Sequence, residues 1–163
     1  MRTRASISIA VAFQLCWTVG CIWLETEDRF YTNMDTVKGS SMGERSWLPS
    51  FLPPSSRDIH ITYNIDTNEV WAMFSFDSQD LKLLTEACQP EGGLRSVQWP
   101  RAPYRGRWWP SNLTREGADE SSRRREVLWC KETEPTAPAS RREKYGYLVL
   151  EDRAIAYYWM YGS

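Results

Sequence analysis

The sequence predicts an α+β fold: an N-terminal signal or anchor helix followed by a small domain with an antiparallel β-sheet of about five strands and one packed helix. Strand-like runs and one run with helical spacing at residues 78–88 indicate this class. The strand-like runs are residues 59–65, 70–76, 124–131, 145–150 and 154–161. The runs follow the order strand, strand, helix, strand, strand, strand, and separated runs of this kind are typical of α+β proteins.

The first two strand-like runs form a predicted hairpin around the turn residues Asp66, Thr67 and Asn68. Side chains of the first run alternate between an apolar and a polar face. The apolar face holds Ile59, Ile61, Tyr63 and Ile65, and the polar face holds His60, Thr62 and Asn64. We expect the apolar face, together with Val70 and Phe74 of the second run, to form the centre of the core.

The first residues are typical of an exported chain. Arg2 and Arg4 precede an apolar stretch that runs to Gly20, and acidic residues follow it closely. This layout predicts a signal peptide or membrane anchor at residues 1–20, with the rest of the chain outside the cytoplasm. An uncleaved anchor helix and a cytosolic chain with a buried helix are the alternatives to cleavage.

Gly20 and Cys21 resemble the end of a bacterial lipobox, in which a small residue precedes a cysteine that is lipidated after cleavage. Thr18 stands where that motif prefers Leu. The resemblance implies lipidation of Cys21, and Ile22 in place of the usual Asp retention residue implies the outer membrane. Several acyl chains hold a protein to a bilayer lastingly, whereas one chain binds marginally.

The domain organisation follows from the proline pattern and the strand-like runs. Residues 21–57 are predicted to be a tether, with a short helix within residues 28–43 and a proline-rich segment after it. Proline lacks the amide hydrogen that a central strand requires, so the segment is expected to run as an extended connection. The α+β domain is predicted at residues 58–163.

The cysteines favour an oxidising compartment. Cys16 lies in the leader and Cys21 at the lipid position, so Cys88 and Cys130 remain in the domain. In an exported chain an even pair suggests a disulfide, which in the chain-entropy model contributes roughly 3–4 kcal/mol. Two buried free thiols are the alternative, since cysteine is often buried without a bond.

The single histidine, His60, is the obvious residue for acid–base chemistry, and Asp58 lies two positions before it on the same predicted strand face. No nucleophile motif accompanies this pair, so a hydrolase using both residues is the least favoured function. His60 and the two domain cysteines provide no closely spaced zinc ligands, and no phosphate-binding motif is present. We therefore expect no metal, cofactor or catalytic site. A net charge of −1 argues against a nucleic-acid partner.

The segment WPRAPYRGRWWP, at residues 99–110, is the candidate binding surface because aromatic and arginine side chains interleave there. Such a surface stacks on sugar rings or holds an anionic polymer through cation–π and bidentate contacts. The candidate residues are Trp99, Arg101, Tyr104, Arg105, Arg107, Trp108 and Trp109. The alternative is a long loop that its aromatic residues pin onto the sheet.

Three stretches of the sequence carry a family resemblance. They are FY at residues 30–31, SWLPSFLPPSSRDIH at residues 46–60 and IDTNEVWAMFSF at residues 65–76. They resemble a family of uncharacterised bacterial envelope proteins with the head domain named for YbbD. Ser46 replaces an expected Gly, and Ser56 an expected Ala. The resemblance implies the envelope compartment and supports the fold, but it implies no enzymatic activity.

The sequence therefore predicts a membrane-tethered bacterial envelope protein that faces the periplasm and has a structural or binding role. Its expected partners are the membrane, through a lipid or the N-terminal helix, and another envelope protein or an anionic surface polymer. An immunity protein that neutralises the toxin of a polymorphic secretion locus is the main alternative, and it rests on the family resemblance alone.

Overall fold

The computed structural model describes residues 26–40, 47–90, 97–123, 125–133, 143–151 and 154–161. The predicted signal or anchor and the lipidation residue Cys21 lie outside these residues. Within the described ranges, no helix has both the length and the apolar character that crossing a membrane requires.

The fold is a single antiparallel sheet of seven strands in the order β1-β2-β3-β7-β6-β5-β4. The strands are β1 (Thr26–Asn33), β2 (Arg57–Asn64), β3 (Val70–Ser75), β4 (Cys88–Pro90), β5 (Val127–Thr133), β6 (Glu143–Glu151) and β7 (Ile155–Met160). The α+β class and the antiparallel sheet are confirmed, but the expected number of about five strands is too low. The two further strands, β1 and β4, stand at opposite ends of the strand order. β1 therefore adds part of the predicted tether to the sheet.

The helices among the described residues are short. They are α1 (Met34–Lys38), α2 (Leu81–Ala87) and α3 (Glu120–Arg123), with 3-10 turns at Ser78–Asp80 and Ser111–Leu113. The helix predicted within residues 28–43 is limited to α1, because Asn33 ends β1 and caps the helix. Its side-chain oxygen accepts a hydrogen bond from the Thr36 amide at 3.0 Å, and the Thr36 hydroxyl accepts one from the Asn33 amide at 3.4 Å. This capping box fixes the change from strand to helix.

Both faces of the sheet are covered. Neighbouring strand residues belong to different apolar clusters, as Tyr158 and Trp159 do in β7. The first face packs against Leu84 of α2 and Leu52 of the proline-rich segment. The second face, which is predicted to be polar in β2, lies beneath Trp99 and the rest of an aromatic segment. The result is three layers, and Thr62 on the supposedly polar face is fully buried.

A β-bulge interrupts the regular alternation at the start of β2. Arg57 pairs with Ser75 and His60 pairs with Met73, so β2 has one more residue than β3 between these pairs. Asp58 takes up the difference with a φ of 50°, in the left-handed region. The interpretation that Asp58 and His60 share a regular strand face is therefore corrected. Of the predicted apolar face, Ile59, Ile61 and Tyr63 are buried as expected, whereas Ile65 lies beyond the end of β2 and is exposed.

The bulge gives a first prediction, in the comparison of Asp58→Ala with Asp58→Gly. Both variants lose the hydrogen bond that Asp58 accepts from the Ser75 hydroxyl at 3.2 Å. Only alanine meets the steric penalty of a left-handed backbone, so we expect Asp58→Ala to be less stable than Asp58→Gly by about 1 kcal/mol. Urea unfolding of both proteins measures the difference. Equal stabilities would show that the left-handed conformation does not matter at this position.

Two adjacent serines in the proline-rich segment have opposite environments. The Ser55 hydroxyl donates to Asp80 at 2.6 Å and accepts from the Asp77 amide at 3.0 Å, and so joins the segment to the start of the helical region. Ser56 is only 1% exposed, and within the described part of the chain its hydroxyl oxygen has no hydrogen-bond partner. A buried hydroxyl without a partner destabilises a fold because it has lost its bonds to water.

The serine pair gives a second prediction. Ser56→Ala, which introduces the residue that the resembling family has there, should raise the free energy of unfolding by about 1 kcal/mol. Ser55→Ala should lower it by about 1–2 kcal/mol, because the Asp77 amide and the Asp80 carboxylate both lose a partner. Urea unfolding of the wild type and both variants under the same conditions measures the two changes. Destabilisation by both substitutions would contradict the prediction for Ser56.

Candidate functional site

The aromatic segment at residues 97–118, here called the aromatic cover, lies on the second face of the sheet. Trp99 stacks on Trp159 with ring centroids 5.6 Å apart, and Trp109 meets Tyr157 and Trp159 edge-on at 5.8 and 6.2 Å. Trp99 is 9% exposed and Trp109 is 6% exposed. These two candidate binding residues therefore hold the cover to the sheet, as the pinned-loop interpretation predicts for them.

Backbone carbonyls of the cover accept hydrogen bonds from aromatic side chains below them. Trp159 and Tyr161 both donate to the Gln98 carbonyl, at 3.0 and 2.7 Å. Trp71 of β3 donates to the Arg101 carbonyl at 3.1 Å. Each bond joins an aromatic side chain of the sheet region to a backbone carbonyl of the cover, so the aromatic residues fix the path of the cover as well as its packing.

Burial also changes the acidity of this region. It raises the pKa of Tyr161 to about 12, while the neighbouring Arg115 acts in the opposite direction. On the first face, burial and a hydrogen bond with Glu27 raise the pKa of Tyr63 to about 12. Burial raises the pKa of Tyr157 as well, followed by its interaction with Glu151. The folded protein therefore favours the neutral form of these phenols.

Alkaline unfolding gives a third prediction. The Tyr161 hydroxyl stays neutral in the fold until the pH approaches its raised pKa of about 12, whereas the unfolded chain ionises near 10. Its contribution to the free energy of unfolding is therefore complete below pH about 10 and is lost as the pH rises to about 12. Tyr161→Phe should make that loss smaller. Urea unfolding of the wild type and this variant across the pH range measures the difference; an unchanged profile for Tyr161→Phe would contradict the prediction.

The tip of the cover is a tight turn pressed against β2. The Gly106 amide donates to the Pro103 carbonyl at 3.3 Å, and the Trp109 amide donates to the Gly106 carbonyl at 2.9 Å. A Cβ atom at Gly106 would lie 2.5 Å from a Pro103 ring carbon and 3.2 Å from the Thr62 hydroxyl oxygen, so glycine allows the close approach. The remaining candidate side chains near this turn are exposed: Arg101, Tyr104, Arg105 and Arg107.

Trp108 links the cover to the first two strands. Its indole nitrogen donates to the Asp28 carboxylate of β1 at 3.0 Å, and the Thr62 hydroxyl of β2 donates to the same oxygen at 2.7 Å. A carboxylate that accepts two hydrogen bonds holds both donors in a defined position. Trp108 is half-buried, and its hydrogen bond to Asp28, a residue that Thr62 also bonds, fixes its place beside β1 and β2.

Three aromatic rings form a row at this end of the sheet. Phe30 of β1 lies 4.7 Å from His60 of β2 between ring centroids, and His60 lies 5.5 Å from Trp108. Phe30 is 53% exposed, whereas the other two rings are half-buried. We call these three residues the Phe30 surface. Phe30 is not among the binding residues predicted from the sequence, because it belongs to the predicted tether at residues 21–57.

The hydrolase alternative needs His60 and Asp58 to act together. The structure instead places the His60 ring between Phe30 and Trp108, while Asp58 accepts a hydrogen bond from Ser75. Among the described residues, no three histidine, cysteine, aspartate or glutamate side chains come together as a metal site. This arrangement provides an aromatic surface and offers no base held by a carboxylate.

The predicted disulfide between Cys88 and Cys130 is present, and it joins β4 to β5 across a register pair. Both residues are fully buried in the first-face cluster. The bond therefore lies on the opposite face from the aromatic cover and at the far end of the strand order from the Phe30 surface. Its role in the structure is to fasten the short strand β4.

Comparison with known families confirms the resemblance noted from the sequence. Residues 25–75 match the family described as the YbbD head domain. The matched region contains β1, β2 and β3, and with them Phe30 and His60, whereas the aromatic cover lies beyond it. No curated protein and no solved structure matches the chain.

Proposed function

We propose that this protein is a membrane-tethered binding protein of the bacterial envelope without catalytic activity. The observation that carries the proposal is the match to the YbbD head domain, which begins at residue 25, just after the candidate lipidation residue Cys21. In this proposal the leader exports the chain, and a lipid on Cys21 or the uncleaved N-terminal helix holds it at the membrane, facing the periplasm. If Cys21 is lipidated, Ile22 stands in place of the usual Asp retention residue, and the protein is then proposed to lie at the outer membrane.

A tether at Cys21 leaves little distance between the membrane and the sheet. The chain from Cys21 to Thr26, the first residue of β1, spans at most about 18 Å at roughly 3.5 Å per residue. Thr26 pairs with Asn64, so the proposed membrane-facing end of the sheet includes the turn between β2 and β3. The Phe30 surface lies further along β1, where it remains accessible to a partner.

The binding role is supported by how the exposed groups are arranged. The exposed Arg105 and Arg107 flank Gly106, which approaches β2, and Arg107 directly precedes Trp108, which bonds Asp28 on the strand that carries Phe30. The partner is proposed to be another envelope protein or an anionic surface polymer. The immunity-protein alternative calls for an acidic face that complements a basic toxin, and the arginines of this surface do not favour it.

Metabolic labelling with a fatty-acid analogue tests the proposed tether. We expect the wild type to be labelled, Cys21→Ala to lose the label, and Cys16→Ala, the matched control in the leader, to keep it. An unlabelled wild type would contradict lipidation. Alkaline carbonate extraction of membranes then separates the remaining cases: retention at full-length mass indicates an uncleaved anchor, and release contradicts the membrane tether itself.

A further inference from the structure

We infer that the Phe30 surface and the arginines beside it form a binding site for an acidic carbohydrate chain. Sugar rings would stack on Phe30 and on the half-buried Trp108, and their carboxylate or phosphate groups would be held by Arg101 and Arg107. This inference rests on the proposed function because it names the class of partner. It adds Phe30 and His60, neither of which belongs to the candidate binding segment.

The aromatic geometry suits a chain of sugar rings, because each sugar ring has an apolar face of C–H groups. The centroid distances of 4.7 and 5.5 Å make Phe30, His60 and Trp108 one continuous strip. Edge strands usually carry charged residues on their exposed positions. Phe30 of the edge strand β1 is instead apolar and more than half exposed, so the face of its ring is available to a ligand. Aromatic side chains with apolar faces and polar edges bind partly apolar, partly polar ligands well.

The charges near the strip select an anionic ligand. Arg101 and Arg107 are exposed. The Arg101 carbonyl accepts a hydrogen bond from the Trp71 indole. Trp71 in turn pairs across the strands with Thr62. The carboxylate of Asp28 already accepts hydrogen bonds from Thr62 and Trp108. Residues 99–110 contain three arginines and no acidic residue, whereas the whole chain has a net charge of −1, so this part of the cover is locally positive. Guanidinium groups bind carboxylates and phosphates with two parallel hydrogen bonds.

The site is largely formed before a ligand arrives. Trp108 is held by Asp28 and by contact with His60, and the tip of the cover is pressed against Thr62. Phe30 is positioned by the pairing of β1 with His60 of β2. Groups that are already ordered lose little conformational entropy on binding, so a shallow surface of this kind retains useful affinity.

Calorimetric titration of the full-length protein in detergent tests the inference with three probes. The probes are an oligomer of galacturonic acid, an uncharged oligomer of glucose and poly-glutamate. We expect the uronic acid oligomer to bind at least about tenfold more tightly than either of the others. Equal binding of the glucose oligomer would remove the role of the arginines. Equal binding of poly-glutamate would reduce the site to charge attraction, and no binding of the uronic acid oligomer would overturn the inference.

Two variants locate the site. Phe30→Ala should weaken binding of the uronic acid oligomer by about tenfold, and Arg107→Ala by a similar factor. Leu83→Ala is the matched control, because Leu83 is an exposed apolar residue on α2 and lies outside the Phe30 surface. Circular dichroism confirms folding of each variant. If Phe30→Ala binds as tightly as Leu83→Ala, the site is elsewhere. The fatty-acid labelling result does not affect this titration, so failure of the tether and failure of the site are distinguishable.

Discussion

Replacing Trp159 by alanine is expected to lower the free energy of unfolding by about 4 kcal/mol and to loosen the aromatic cover. The Trp159 side chain is 1% exposed and contacts three other aromatic rings, those of Trp99, Trp109 and Tyr147. Its indole also donates to the Gln98 carbonyl. The truncation therefore leaves a cavity under the cover and removes one of the bonds that fix its path.

Urea unfolding and limited trypsin digestion measure the two effects separately. Trypsin cleaves after arginine, and the cover contains Arg101, Arg105, Arg107 and Arg115, so a loosened cover should be cut while the rest of the domain stays intact. Trp159→Phe is the control: it keeps an aromatic ring but loses the bond to Gln98, and we expect a loss of about 1–2 kcal/mol. A Trp159→Ala protein whose cover resists trypsin as the wild type does would contradict this role for Trp159.

Loss of the Cys88–Cys130 disulfide is expected to have an effect of similar size. The bond closes a loop with a sequence separation of 42 residues, which in the chain-entropy model contributes about 4 kcal/mol. The main cause is the greater freedom of the unfolded chain once the bond is gone. The folded state also loses a covalent link between β4 and β5, and β4 is only three residues long.

The measurement compares urea unfolding of the wild type, with and without a reductant, with that of Cys88→Ala/Cys130→Ala. The reduced wild type and the double variant should both lose about 4 kcal/mol, and the reductant should not affect the double variant. Because whole domains are stable by only about 5–15 kcal/mol, this is a large fraction of the total. A reduced wild type within about 1 kcal/mol of the oxidised protein would contradict the prediction.

The parts of the fold that were predicted from sequence are those with a local signal. Alternation of apolar and polar residues identified the hairpin of β2 and β3, and helical spacing identified α2. Strand β1 has no such signal, because its sequence TEDRFYTN is mostly polar and its place depends on pairing with the distant strand β2. The bulge at Asp58 was also missed, since its extra residue shows only against the register of β3.

The candidate site was predicted in the same partial way. Composition identified the aromatic cover, but the choice between binding and anchoring depends on which rings meet the sheet. Trp99 and Trp109 are buried because Trp159 and Tyr157 lie beneath them, and the sequence did not reveal those contacts. Phe30 became a candidate only when its pairing with His60 was known.

The pairing of β3 with β7 in the middle of the sheet also determines how the chain folds. Val70 pairs with Met160, so the central strands come from distant parts of the sequence. The hairpins β2–β3 and β6–β7 are local and close quickly, but joining them requires a long loop whose closure is entropically unfavourable. The Cys88–Cys130 bond lies within that loop and shortens its effective length. In the oxidised chain it therefore reduces the entropic barrier to completing the sheet.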